Sequence, residues 1–200
     1  MSNIVRGGAR WKRNKHSPDS TDPPIQILPV ASAYGTALYR GDFVKVLSDG
    51  TIAACSAGDT IYGVVSHVPQ YYDGTVVRAG GSLPASTTWG SVIGRESLVA
   101  VIPVRGQIFS LCADDGTTAV TQATFESYVQ ENVEWVAGTH VGDQSGTLAD
   151  ISTHATTNTL SLRIENIPNK NFQDFTSTGV ELEVSVNLVQ DVGSGSTTGT

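Results

Sequence analysis

The residues best equipped for binding chemistry lie near the start of the chain. Residues 6–15, RGGARWKRNK, hold Arg6, Arg10, Trp11, Lys12, Arg13 and Lys15 without a single acid. Cations interleaved with an aromatic ring suit an acidic protein groove or a nucleic-acid backbone, and they also serve as a plain solvated terminus. The rest of the chain weighs on the choice, because beyond residue 15 the 19 Asp and Glu far outnumber the remaining Lys and Arg. So acidic a body would repel a nearby duplex, which argues against direct nucleic-acid binding. The six residues are therefore expected to bind a protein partner, as a basic arm on an acidic body.

Other constellations fall short of a site. His140, Asp143, Asp150 and His154 share one polar stretch, but their spacing matches no metal-ligand motif, and no metal is expected there. His16 lies in the arm and His67 at the end of a strand. No serine sits in a G-x-S-x-G elbow, so a catalytic triad is not expected. GGSLPASTTWG lacks the Gly-Lys-Ser/Thr ending of a phosphate loop. The Asp49-Gly50 hairpin resembles the tip of a lipoyl or biotinyl carrier, yet it has no Lys to carry the group. Cys55 and Cys112 read as buried free thiols rather than a disulfide, since both sit in apolar strand-like contexts. The expectation is a non-enzymatic chain with no cofactor.

The elements that must position these residues are strands. Ser and Thr together number 42 and Gly 21, a balance that favours pleated surfaces and tight turns over helices. Residues 1–24 have no core-forming period and read as an extended arm, ordered only when something holds it. From Ile25 to residue 79 a β-meander is expected: FVKVLS and TIAAC flank Asp49-Gly50, AGD at 57–59 leads into IYGVVSHV, and TVVRA follows Asp73-Gly74. Residues 80–94 read as a loop or joint between two β modules, with Trp89 in it.

Residues 95–190 are expected to form a β-barrel-like module. LVAVIPV and QIFSL should pair across Arg105-Gly106, with Asp114, Asp115 and Gly116 in the next turn. TAVTQATFESYVQ is the one candidate helix, with Val120, Ala123 (or Thr124) and Ser127 on one face. VEWVAG and TLSLRI read as strands. VELEVSVNLV alternates strictly, with Val180, Leu182, Val184, Val186 and Leu188 inward and Glu181, Glu183, Ser185 and Asn187 outward to water. Residues 191–200 read as a flexible polar tail. No apolar run reaches the ~20 residues of a membrane span, and the N-terminus lacks the apolar stretch of a signal peptide. The fold class is thus all-β: β-meander and β-barrel modules with an extended N-terminal arm and a flexible C-terminal tail.

The order of these motifs resembles the head decoration (capsid cement) proteins of tailed bacteriophages. YGTALYRGDFVKVLSDGTIAACSAGDTIYGVVSHV is similar to a recurring module of phage structural proteins: a strand begins at Gly-Asp, an Asp-Gly hairpin follows, and a Gly-Val strand returns. VAVIPVRGQIFSLCADDG, VEWVAG, TLSLRIENI and VELEVSVNLV then resemble the barrel of the decoration proteins. The likeness spans about residues 34–189 and leaves out the basic arm. It implies a structural protein on the exterior of a virion, made in the host cytoplasm. Its partners would be the major capsid protein and neighbouring copies of itself, as a trimer first and a dimer second. The alternatives are a tail or baseplate component, or a carbohydrate-binding β module, for which Trp11, Trp89, Tyr71 and Tyr72 would be the exposed aromatics.

Overall fold

A computed structural model describes residues 7–17, 19–31, 33–85, 96–114, 121–175 and 179–190. Among the described residues fourteen strands, one short α-helix and a 3-10 turn at Lys170–Phe172 follow in order: β1 Arg10–Asn14, β2 Gln26–Pro29, β3 Leu38–Tyr39, β4 Phe43–Val46, β5 Ile52–Ala54, β6 Gly63–Tyr72 and β7 Val77–Gly80. They continue as β8 Ser82–Leu83, β9 Leu98–Pro103, β10 Gln107–Asp114, α1 Gln122–Ser127, β11 Asn132–Val136, β12 Leu148–Ala155, β13 Leu162–Asn166 and β14 Glu181–Val186. The protein is nearly all β. Among the described residues, no helix is long and apolar enough to cross a membrane.

Turn chemistry in the meander works as the residues suggest. Asp49 accepts hydrogen bonds from the Thr51 amide and hydroxyl at 2.9 and 2.7 Å, while Gly50 takes φ +82°. Asp73 does the same for the amides of Thr75 and Val76, beside Gly74 at φ +94°. These carboxylates replace the backbone partners that a tight turn leaves unsatisfied. β4 pairs with β5, and β6 with β7, across the two turns.

The first sheet runs β2-β9-β6-β4-β5, with β7 beside β6. A single parallel bridge from Val30 to Ile52 brings its two ends together. Inside lie Val30, Leu38, Val44, Ile52, Val65, Val68, Leu83, Val99 and Val101. In the second sheet, β10-β12-β11-β13-β14 close into a five-stranded barrel through the β10–β14 pairing. Phe109, Leu111, Val133, Leu162, Ile164, Leu182 and Val184 fill it. Phe43, Val64 and Ile102 of the first sheet, with Ile61 just before β6, belong to this second core as well. The first sheet therefore has an apolar residue on each face, which explains why IYGVVSHV and LVAVIPV are continuous apolar runs rather than alternating ones.

This pairing corrects the expected hairpin across Arg105-Gly106. The chain does turn there, with Gly106 at φ +69°. However, β9 is occupied on both edges by β2 and β6, while β10 pairs with β1, β12 and β14. Val99, Ala100, Val101 and Ile102 are all buried, so β9 needs neighbours on both sides. A turn signal says that the chain reverses, not which strands then meet. β9, Leu98–Pro103, which the sequence groups with the second module, thus pairs within the first sheet.

The helix is shorter than its pattern, and a different residue anchors it. Thr121 caps it by accepting from the Thr124 amide, and Phe125 is fully buried against Phe175 and Tyr128. Six residues are fewer than two turns, too short for a stripe, so one large ring supplies the contact. Val120, Trp89, Asp115, Gly116 and residues 191–200 lie outside the described residues, as do 86–94 of the expected joint. In β14 and just before it, Val180, Leu182 and Val184 are completely buried and Val186 nearly so. Leu188 is only half-buried and lies past the end of the strand.

Candidate partner-binding face

The expected arm is largely built into the protein. Its anchoring begins where two backbones cross at glycines: Gly8 donates to the Thr147 carbonyl at 2.8 Å, and Ala9 donates to the Gly41 carbonyl at 2.9 Å. A Cβ on Gly41 would stand 2.8 Å from the Gly8 Cα, and Gly41 has φ +94°, so neither space nor conformation admits a side chain there. Beyond the crossing, β1 pairs antiparallel with residues 107–110 of β10. It shares that edge of β10 with β12, which takes Ala113 and Asp114.

The register sorts the basic segment into two faces. Trp11 sits opposite Phe109, packs on the barrel core, and donates from Nε1 to Gln107 Oε1 at 2.7 Å. The ladder slips between Trp11 and Arg13, a bulge at Lys12. Outside, four cations meet three glutamates. Lys12 lies 3.0 Å and Arg10 3.7 Å from Glu181; Arg13 lies 2.9 Å from Glu183; Lys15 lies 2.6 Å from Glu165. Burial pushes Glu181 up, but hydrogen bonds from Ser110 and Lys12, with the Lys12 and Arg10 charges, hold it below its ordinary value. Glu165 behaves likewise: burial is outweighed by Lys15, Ser185 and Arg163.

Two expectations change here. The segment 10–15 is not an arm waiting for a partner, because the acidic body of its own chain holds it. Attachment to the same chain makes the acidic outer face of β13 and β14 the nearest available counter-charge. Arg6 lies outside the described residues. Glu183, expected to face water, is 6% exposed, since Arg13 covers it and Asn166 donates to it. The alternation of β14 was legible, but the side chains that reach over to its outer face come from β1, on the other side of β10. A usable signal existed: three glutamates on the outer rows of the last two strands, and a run of cations with one inward aromatic.

Elsewhere the polar stretch 137–154 disperses its side chains. His140 stacks on Tyr39 at 4.1 Å, Asp143 accepts from Ser82, Asp150 accepts from Ser152, and His154 meets Glu131 at 2.8 Å. Among the described residues no cluster of three His, Cys, Asp or Glu is arranged to hold a metal. Both cysteines are free. Cys112 is buried, whereas Cys55 is half-buried with its thiol pushed up to about 12 by burial and by Asp59. As sugar platforms the aromatics fare poorly: Trp11 and Tyr71 both pack against cores.

Exposed apolar side chains mark a different face. Among the described residues β2 ends its sheet order and pairs along its length with β9, while Val30 just past it bridges to Ile52. Beside and within β2, Ile25 and Ile27 are 48% and 57% exposed. The β6–β7 hairpin adds Val76 and Val77. An end strand with outward isoleucines can accept another chain, while Pro23, Pro24 and Pro29 limit indiscriminate pairing. No family model, curated protein or solved structure matches the chain.

Proposed function

We propose that the chain is a structural virion protein that decorates the outer surface of a tailed-phage capsid and stabilises it. The observation that carries this reading is the paired β module itself. The residues on which the resemblance rests, Gly41-Asp42, Asp49-Gly50 and Gly63-Val64, frame β4 to β6, and the later motifs from Gln107 onward build the barrel, while VAVIP joins the first sheet as β9. The two modules share apolar contacts, which suits a stiff binder that must transmit force between neighbours. Binding would run through the open edge of β2, where a partner strand can satisfy backbone groups while Ile25 and Ile27 are covered. The partners are the major capsid protein and further copies of the chain, with a trimer at a local three-fold axis as the first stoichiometry and a dimer at a two-fold axis as the second.

The test is co-sedimentation of purified protein with undecorated heads. The protein should saturate the heads at a fixed copy number. Ile25→Asp with Ile27→Asp, exposed positions that leave the cores intact, should reduce occupancy strongly. Absence of any binding by the wild-type protein rejects decoration; full occupancy by the double variant rejects the β2 edge.

A further inference from the structure

The crossing that anchors β1 also borders a cavity of about 690 Å3. Gly7, Gly138 and Gly146 form part of its wall, and Val141, 78% exposed, stands beside them. Arg10 and Arg40 line it too. Two guanidinium groups thus line one cavity of a chain with net charge −7. Arg10 is engaged at its Nη2 by Ser110 and Glu181, yet its Nε is buried with no hydrogen-bond acceptor. Arg40 uses its backbone in the surrounding loop, donating to Asp143 and accepting from Ser145. Its side chain has neither an ion pair nor a hydrogen bond among the described residues.

We infer that this cavity binds an extended acidic segment of a protein partner, with a carboxylate on Arg10 and Arg40 and a small apolar side chain against Val141. Charge selects the carboxylate: the planar guanidinium fork matches it in bidentate geometry, and an acceptor would satisfy the orphaned Nε–H. Shape selects an extended chain. Residues 7–10 lead into β1, which among the described residues ends its sheet order and keeps one edge unpaired beside the cavity, where an extended segment can add to it. The volume lies within the range of ordinary ligand pockets. The inference makes no use of a capsid.

The probe is a capped peptide, acetyl-Glu-Val-Glu-Val-Glu-amide, titrated into the full chain at low salt and followed by calorimetry and by amide chemical shifts. Wild-type protein should bind it, with affinity falling as salt rises. Arg40→Glu should weaken binding by about tenfold or more, which is the loss of one charge-assisted contact. Arg40→Lys should retain part of it, and Lys170→Glu, remote from the cavity, should bind as wild type. Val141→Asp offers a second variant that acts by repulsion at an exposed site. Failure of the wild type to bind, or binding by both Arg40→Glu and Val141→Asp as tight as wild type, overturns the inference. Tight binding of inorganic phosphate in place of the peptide also overturns it, by making the cavity a free-anion site.

Discussion

Reversing the charge of Glu183 probes the covered face of β14 most sharply. Simple alternation puts Glu183 in water, where Glu183→Lys would change stability by roughly 0.5 kcal/mol or less. The structure instead puts its carboxylate 2.9 Å from Arg13 and leaves the residue 6% exposed. A Lys ammonium about 4 Å from that guanidinium repels it by about 4 kcal/mol at an effective dielectric of about 20. Lost charge-assisted hydrogen bonds add about 1–3 kcal/mol. The Arg13 side chain is 38% exposed and can swing into water, which relieves much of the repulsion. The net cost should therefore be about 2–4 kcal/mol, a drop in Tm of about 5–15 °C for a chain of this size. Urea melts of Glu183→Lys, Arg13→Glu and the charge-swapped double variant close a thermodynamic cycle. The double variant should recover at least about half the loss of Glu183→Lys. A Glu183→Lys melt indistinguishable from wild type, or a cycle with no coupling, would refute the covered-face account.

Three further outcomes follow from the same geometry. Deleting residues 1–14 removes a strand and Trp11 from the barrel, so the urea midpoint should fall by the equivalent of about 3–5 kcal/mol, and size-exclusion chromatography should show self-association through the uncovered edge of β10. Glu165 and Glu181 titrate below their ordinary value of 4.5 when folded, so the stability they contribute is complete above that pH and is lost as pH falls through the lower folded values. Asp42, raised mainly by burial, works in the opposite direction. Urea midpoints below pH 4.5 should therefore fall less steeply in Lys12→Ala/Lys15→Ala than in wild type. Cys55, with its thiol near 12, should resist iodoacetamide at pH 8 in the folded protein and react readily in urea.

What was legible in the sequence is what local chemistry dictates. Asp49-Gly50 and Asp73-Gly74 specify their hairpins because the carboxylate and the positive φ act within four residues. Val180, Leu182 and Val184 show an inward face because strand geometry repeats every two residues. What failed is long-range pairing. Nothing local in LVAVIPV says that its edges go to β2 and β6 rather than to QIFSL, although its burial on both faces hinted at a central strand. The basic segment was recognised as a binding element, but its partner was sought outside the chain. Arg10, Lys12, Arg13 and Lys15 find Glu181, Glu183 and Glu165 instead, across sequence separations of 150 residues or more. The apolar β2 edge was hidden because IQILPV looks like any core strand until its neighbours are known.

The central claim, that the chain reinforces an assembled shell, is tested most directly by heating decorated and stripped heads in parallel and following DNA release. A protein that binds the lattice better than its separate parts adds its binding free energy to the lattice by linkage. Decorated heads should release DNA at a higher temperature, stripped heads should regain that resistance when the purified protein is added back, and a chelator should make no difference. Superimposable release curves for decorated and stripped heads would contradict the claim and turn attention to a tail or baseplate role.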